Sequence, residues 1–247
     1  MSNDVLLFIA IGFAAQMVDG AIGMAYGITA TTMLMSFGVP PAAASASVHA
    51  AEVFTTAASG TAHWRMGNVD RKLVVRLAVP GVLGGGVGAY ILATVPSDSI
   101  RPIVSAYLLV MGVVILWRAI WKVRDEHETP KHVGVLGLVG GFLDAIGGGG
   151  WGAMVTSTLI GQGVPPRFAI GSANVAEFFV TVTITATFVA TVGLSLWPVI
   201  TGLVIGGVLA APFAAYATKY LPTQPMMILV GVVVILLSLR SLSTTLW

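Results

Sequence analysis

The chain contains one stretch of sequence twice, at a constant offset of 125 residues (144 minus 19). The copies align without a gap from the first acidic residue of the motif, through a Gly-Val-Pro-Pro turn, to a second acidic residue. The matching positions are Asp19 and Asp144, Gly38 and Gly163, and Glu52 and Glu177. In a membrane chain, helix breaks at corresponding places in two halves are a pointer to a transport site.

The composition is that of a protein dissolved in lipid. Hydrophobic residues make up 56% of the chain and charged residues only 9%, whereas a soluble domain carries roughly 25% charged residues. So few charges do not cover the surface of a soluble helical core. Apolar stretches of about 20 residues follow one another with short polar joints, as membrane-spanning helices require. The sequence therefore predicts an all-α polytopic membrane protein that is embedded in the lipid bilayer.

Several kinds of site are disfavoured by the residue inventory. The chain has no cysteine, so it forms no disulfide and no thiolate metal site. Its net charge is only +2, and the basic residues lie at helix ends rather than in one patch, which argues against a nucleic-acid partner. We expect no cofactor and no metal site.

Proline, glycine and charge divide each half into the same five apolar segments. We expect a first repeat at residues 1–121, a cytoplasmic linker at 122–132 and a second repeat at 133–247. In each half two short segments precede three full-length ones, and the first break is placed at Asp19-Gly20. The predicted segments are 4–18, 22–37, 42–63, 72–95 and 100–121, then 133–144, 149–162, 167–190, 196–218 and 225–242.

An odd number of segments per half predicts that the second repeat is inverted relative to the first. The charges support this independently, because Lys and Arg concentrate on the cytoplasmic side of membrane proteins. With a non-cytoplasmic N-terminus, only Arg101 and Arg240 of the twelve basic residues face outward. The other ten are Arg65, Arg71, Lys72, Arg76, Arg118, Lys122, Arg124, Lys131, Arg167 and Lys219.

Four acidic residues lie inside apolar segments, where an ionisable group costs at least about 2.5 kcal/mol and is usually functional. Asp19 and Asp144 each precede a short helix. Either they cap its unpaired N–H groups or they contact a substrate or coupling ion directly. Glu52 and Glu177 lie well inside long helices, and they either line an aqueous path or hydrogen-bond to neighbouring helices. All four are candidate coupling or gating residues.

A polar stripe accompanies each glutamate at helical spacing. In the first half it comprises Ser45, His49, Glu52 and Thr56; in the second it comprises Asn174, Glu177 and Thr181. A polar stripe on an apolar helix is expected to face the bundle interior. A His three residues from a Glu suits proton exchange near neutral pH, although the second half has no matching histidine.

Glycines concentrate where the short helices break, at Gly20, Gly23 and Gly27 and again from Gly147 to Gly152. They serve either close helix packing or an anion site made of unpaired N–H groups. Because no Lys or Arg lies near the midplane, backbone dipoles, hydroxyls and amides would hold the anion. The candidate substrate-binding residues are Gly23, Tyr26, Thr31, Ser47, His49, Gly148, Gly149, Trp151, Thr156, Ser172 and Asn174.

This doubled pattern resembles the sulfite exporter TauE/SafE family of membrane permeases. The resemblance rests on the glycine run Gly147–Gly150, the turn Gly163–Pro166 and Gly171-Ser172, with their weaker counterparts in the first half. It implies transport of sulfite, sulfonates or related small anions. The carboxylates and His49 are not part of what the resemblance implies.

The sequence thus favours a secondary transporter of the bacterial inner membrane for a small, sulfur-containing anion, coupled to a proton or Na⁺. Two other transport interpretations stay open: a cation or proton exchanger that uses Glu52 and Glu177, and a passive anion channel. We expect no enzymatic activity, because no nucleophile–base constellation accompanies His49.

Overall fold

The structure is a computed structural model, and it describes residues 2–22, 25–120, 132–193, 196–220 and 223–246. Within these residues it is helical and contains no strand, which confirms the predicted all-α class. The long helices are α1 (Ser2–Ile22), α3 (Pro41–Arg65), α4 (Arg71–Thr94), α5 (Ser97–Ile120), α8 (Pro166–Thr191), α9 (Trp197–Tyr220) and α10 (Thr223–Leu246). The shorter ones are α2 (Tyr26–Ser36), α6 (Val133–Gly147), a π-helical turn (Gly152–Thr156) and α7 (Ser157–Gly161).

Among the residues that the structure describes, three helical stretches are long and apolar enough to cross a membrane by length and composition: α4, α5 and residues Arg167–Thr191 of α8. Five shorter apolar stretches accompany them within the described residues. Helix α3 does not belong to this set, because the polar residues of the predicted stripe, from Ser45 to Thr56, lower its hydropathy. The chain is a polytopic membrane protein. Its predicted linker, 122–132, lies outside the described residues except for His132.

The position predicted for the first break is wrong. Helix α1 runs through Asp19 and Gly20 and ends only at Ile22. A glycine in a helix interior costs only about 1 kcal/mol relative to alanine, which is too little to end a helix by itself. In the second half, Asp144 likewise lies inside α6, which continues to Gly147. Both breaks therefore come a turn later than the acidic residue.

Helix pairing follows the repeat. Helix α1 packs on α9, and α6 packs on α4. Because α1 corresponds to α6 in the repeat and α4 corresponds to α9, these two pairs are equivalent. Glycines bring both pairs close: a methyl group on Gly12 would lie 2.5 Å from the carbonyl oxygen of Leu203, and one on Gly137 would lie 2.5 Å from that of Leu77. Helices α3 and α8 pack on each other, as do α5 and α10. These are the pairings that two related halves would produce.

Helix α5 contacts both broken segments, at well-separated points along its length. Near its start, the Arg101 guanidinium donates to the carbonyl oxygen of Met35, at the end of α2 (2.9 Å). In its last turn, Arg118 donates to the carbonyl oxygen of Ala153, in the π-helical turn (2.7 Å). The two arginines are about 25 Å apart along the helix at a rise of ~1.5 Å per residue. The short helices therefore extend toward opposite ends of α5, as an inverted repeat requires.

The inversion itself stays a prediction, and the absence of cysteine makes it easy to test. We expect Phe37→Cys, before the first Gly-Val-Pro-Pro turn, to react in intact cells with a maleimide that does not cross membranes. We expect Gln162→Cys, before the second turn, to react only after the membrane is permeabilised. Reaction of both cysteines from the same side would contradict the inverted arrangement.

Candidate functional site

The two helix breaks touch each other at the centre of the molecule. A methyl group on Gly27, at the start of α2, would lie 2.6 Å from the Cα of Gly149 and 2.9 Å from the carbonyl oxygen of Gly148. The Thr31 hydroxyl, one turn into α2, donates to that same carbonyl oxygen at 2.6 Å. The backbones of the two halves thus meet directly, and only glycine permits this separation.

The second break is built by three consecutive glycines with positive φ: Gly148 (66°), Gly149 (143°) and Gly150 (142°). The backbone N–H groups of Gly148 and Gly149 donate to the carbonyl oxygen of Asp144, which closes the end of α6. The Asp144 side chain then reaches over the break, and its Oδ1 accepts from the backbone N–H of Trp151 at 2.9 Å. Asp144 therefore caps the next helical segment, as one of the two sequence interpretations expects.

A cavity of about 290 Å³ lies beside the two breaks, between α3 and α8. Both breaks, both predicted glutamates and residues from α1, α3 and α8 contribute to its wall. The lining residues are Gln16, Tyr26, Gly27, Glu52, Thr55, Thr56, Ser59, His63, Gly150, Gly152, Thr156, Ile170, Asn174 and Glu177.

The cavity is deepest at the breaks and opens toward the end of α3. Tyr26, Glu52 and Thr156 are at most 5% exposed, whereas Ser59 and His63, one and two turns further along α3 from Thr56, are half-buried. The Glu52 carboxylate lies against the glycine contact, since a methyl group on Gly27 would lie 2.8 Å from its Oε1. None of the lining residues is Lys or Arg.

Five of the predicted site residues line this cavity: Tyr26, Glu52, Thr156, Asn174 and Glu177. Others form the layer behind it. The Trp151 ring is fully buried, with Nε1 donating to the carbonyl oxygen of Ala173 (3.1 Å), and Thr31 and the Gly148–Gly149 backbone join the two breaks.

Two predicted hydroxyls lie elsewhere. Ser172 accepts a hydrogen bond from the backbone N–H of Asp70 (2.9 Å), at the turn before α4. Ser47 donates to the carbonyl oxygen of Ala43 (2.7 Å) and lines a separate small cavity. Gly23 and the side chain of Asp19 lie outside the described residues.

His49 pairs with Asp144 instead of lining the cavity. Its Nε2 lies 3.2 Å from Oδ2 of Asp144, and the two side chains are 0% and 1% exposed. Its Nδ1 lies 2.8 Å from the carbonyl oxygen of Ser45. The Ser45 hydroxyl donates to the carbonyl oxygen of Ala145 at 2.6 Å. Together these contacts join α3 of the first half to α6 of the second.

Sequence reasoning missed four polar residues of the cavity wall, as well as Ile170. Thr55, Ser59 and His63 lie at helical spacing from Glu52 and Thr56, so the signal for these three was present in the sequence of α3. Gln16 gave little signal, because glycine occupies the corresponding position, 141, of the second half.

The close contact of the breaks predicts that Gly27→Ala is destabilising. The added methyl group would overlap both the Gly149 backbone and the Glu52 carboxylate, and such overpacking costs about 1–3 kcal/mol. We expect a lower melting temperature in detergent than for the wild type.

Gly86→Ala is the matched control, because the nearest atom to its methyl group would be Thr183 Cγ2, 3.6 Å away. We expect this substitution to leave the melting temperature unchanged or to raise it, since alanine is favoured in helices. Equal melting temperatures for the two variants would show that the breaks do not meet as described.

Comparison with known proteins gives a consistent result. The family model of the sulfite exporter TauE/SafE matches residues 8–241. The chain is 41% identical over 250 residues to the "Probable membrane transporter protein YtnM" of Bacillus subtilis (strain 168), an alignment that covers 97% of this chain and 83% of that protein. No solved structure gives a significant match.

Proposed function

Because the chain belongs to the sulfite exporter TauE/SafE family and is a membrane transporter, we propose that it is a secondary transporter of a small, sulfur-containing anion. The cargo is sulfite, thiosulfate or a short sulfonate, and the membrane is a bacterial inner membrane with the N-terminus outside. The observation that carries the proposal is the cavity at the junction of the two breaks, to which both halves contribute.

The proposed substrate site uses neutral donors, since no Lys or Arg lines the cavity. The Asn174 amide donates one hydrogen to the carbonyl oxygen of Ile170 (3.0 Å), and an amide nitrogen carries two. The hydroxyls of Ser59 and Thr156 and the backbone at the glycine breaks add further polar groups. Backbone N–H groups at a helix start favour anions, and the positive-φ glycines let a ligand approach them closely.

Glu52 and Glu177 give the site its coupling. An anion about 5 Å from an ionised carboxylate is repelled by about 3 kcal/mol at an effective dielectric constant near 20. Anion binding therefore favours protonated glutamates, and protonation in turn favours anion binding, because linkage is reciprocal. We propose that the anion and at least one proton occupy the cavity together.

Alternating access would follow from movement of one half against the other around the fixed breaks. With the predicted topology, the end of α3 and the start of α8 face the cytoplasm. The cavity in this structure is then the inward-facing one. No covalent step is needed for this cycle, and we assign none to the lining residues.

The alternative cargo is a cation exchanged against protons. The two glutamates favour it, because hard cations prefer carboxylate oxygens. Within the described part of the chain, no group of three or more His, Asp or Glu residues is placed to hold a metal ion. A cation would depend on Glu52 and Glu177 with hydroxyl and amide oxygens.

Transport by purified protein in liposomes tests the proposal. We expect saturable uptake of labelled sulfite, thiosulfate or a small sulfonate, stimulated by a pH gradient and absent from protein-free liposomes. Glu52→Gln and Glu177→Gln should lose the stimulation, because an amide neither titrates nor repels the anion. Asp98→Asn, at an exposed acid at the start of α5, is the matched acid-to-amide control and should keep it.

Two outcomes would contradict parts of this proposal. Gradient-stimulated flux that survives both glutamine substitutions would return the glutamates to a structural role and leave the glycine breaks as the site. Movement of Na⁺ or Ca²⁺ without any anion flux would establish the cation exchanger instead.

A further inference from the structure

We infer that the His49–Asp144 pair is a proton-binding gate that closes the outer side of the cavity. The inference rests on the proposed transport function, since a gate has meaning only if the two halves move. It concerns two buried residues that the substrate cavity does not use, and it argues from their hydrogen bonds and their place in the fold.

The hydrogen-bond geometry favours one proton shared by the pair, with Nδ1 of His49 acting as a donor. The carbonyl oxygen of Ser45, 2.8 Å from His49 Nδ1, only accepts, so Nδ1 carries a hydrogen. The Ser45 hydroxyl, 3.2 Å from the same nitrogen, has given its own hydrogen to the carbonyl oxygen of Ala145. A neutral ring protonated at Nδ1 has a bare lone pair at Nε2.

That lone pair faces a carboxylate oxygen at 3.2 Å. The side chains of His49 and Asp144 are 0% and 1% exposed. Two hydrogen-bond acceptors that face each other in such a site repel, and water does not reach them to compensate. A proton must therefore lie between Nε2 and Oδ2, either as an imidazolium–carboxylate pair or as a neutral imidazole with a carboxylic acid. Loss of this one proton, as the pH rises, removes the attraction and opens the contact.

The position of the pair makes it a gate. His49 lies one turn before Glu52 on α3, on the side of the breaks away from the cavity, which extends from Glu52 toward His63. Asp144 also caps Trp151 across the second break. The pair thus joins α3 of one half to α6 and the short helices of the other. Movement of the halves that exposes the cavity on this side must break the contact.

The repeat supplies an independent comparison. Asn174 corresponds to His49, and its Nδ2 bonds the carbonyl oxygen of Ile170, four residues earlier, as His49 Nδ1 bonds that of Ser45. Asn174, however, lines the open cavity. The equivalent repeat position is therefore buried against a partner at His49 and open to the cavity at Asn174, as an alternating gate requires. Because an amide does not titrate, only the His49 side depends on a proton.

Other titratable groups surround the pair. Tyr107 faces Asp144 from α5 and donates to the carbonyl oxygen of Gly149 (3.3 Å). Glu52 lies one turn away on α3, and Glu177 reaches the cavity from α8. Helix α4 packs on α6 through Gly84 and Gly88 and brings no charge at these contacts. The described contacts of the pair include no Lys or Arg, so nothing in them replaces the shared proton.

The first test measures access to the cavity from outside. We place a single cysteine at Thr55, a lining residue one turn from Glu52, in the cysteine-free chain and label intact cells with an impermeant maleimide at several external pH values. We expect labelling to increase as the pH rises. In His49→Gln the amide donates to Asp144 at every pH, so this increase should be lost. His132→Gln, at an exposed histidine before α6, is the matched control and should keep it.

The reactivity of the cysteine thiol itself also rises with pH. Comparing labelling of the variants at the same pH removes this contribution. Equal pH dependence with and without His49→Gln would overturn the inference. Labelling needs no substrate, so a pH-dependent gate without any anion flux would count against the proposed cargo alone. Anion flux with pH-independent access would count against the gate alone.

A second measurement keeps the inference testable if His49→Gln fails to fold. In ¹⁵N-histidine protein, the resonances that Asp144→Asn shifts most belong to the ring that pairs with it. We expect Nε2 of this ring to lose its proton as the pH of the labelling experiment rises, while Nδ1 stays protonated. A ring whose Nε2 stays in one state across the pH values at which labelling changes would contradict the gate.

Discussion

The direct contact between Gly27 and Gly149 is the constraint on which the rest of the molecule depends. It places the backbone at the start of α2 against the backbone of the second break, one from each half, with no side chain between them. The break in the second half can be this tight because Gly148, Gly149 and Gly150 adopt positive φ in succession. Once the breaks meet, α3 and α8 lie on either side of them. Part of each polar stripe, Glu52 and Thr56 on α3 and Asn174 and Glu177 on α8, then lines one shared space. The cavity is therefore a consequence of the glycine contact, since it occupies the room that α3 and α8 leave beside the junction.

Asp144 connects this junction to the polar chemistry around it. Its carbonyl oxygen ends α6, its Oδ1 begins the next helical segment, and its Oδ2 meets His49 of the other half. One side chain thus fixes the geometry of a break and at the same time joins the two repeats. The capping contact that one sequence interpretation expects and the contact with His49, to which we assign the proposed gate, are made by the same carboxylate. Substitution of Asp144 is for this reason expected to lower stability by more than the loss of an ordinary helix cap, which is worth about 1 kcal/mol.

The sequence predicts the helices better than it predicts the site. Helix α3 begins at Pro41 and α8 at Pro166, one residue from their predicted starts, because proline and glycine turns are local signals. The break near Asp19 is misplaced because a short-range pattern does not tell whether tertiary packing will carry a helix through a glycine. Tyr26, Glu52, Asn174 and Glu177 line the cavity, as helical spacing and the repeat suggest. The partner of His49, in contrast, lies 95 positions away on another helix. No spacing rule relates the two, and the repeat gives no hint because Asn174 replaces His49 in the second half.

Helix α5 carries a consequence for how motion is divided. By sequence, α5 belongs to the first repeat. Tyr107 and Arg118 nevertheless hydrogen-bond it to the segment around the second break, and Arg101 hydrogen-bonds it to α2. In the proposed mechanism, α5 would stay in place while the rest of one half moves against the other, because its hydrogen bonds reach both halves. Arg101 and Arg118 would then limit how far each short helix moves away from α5.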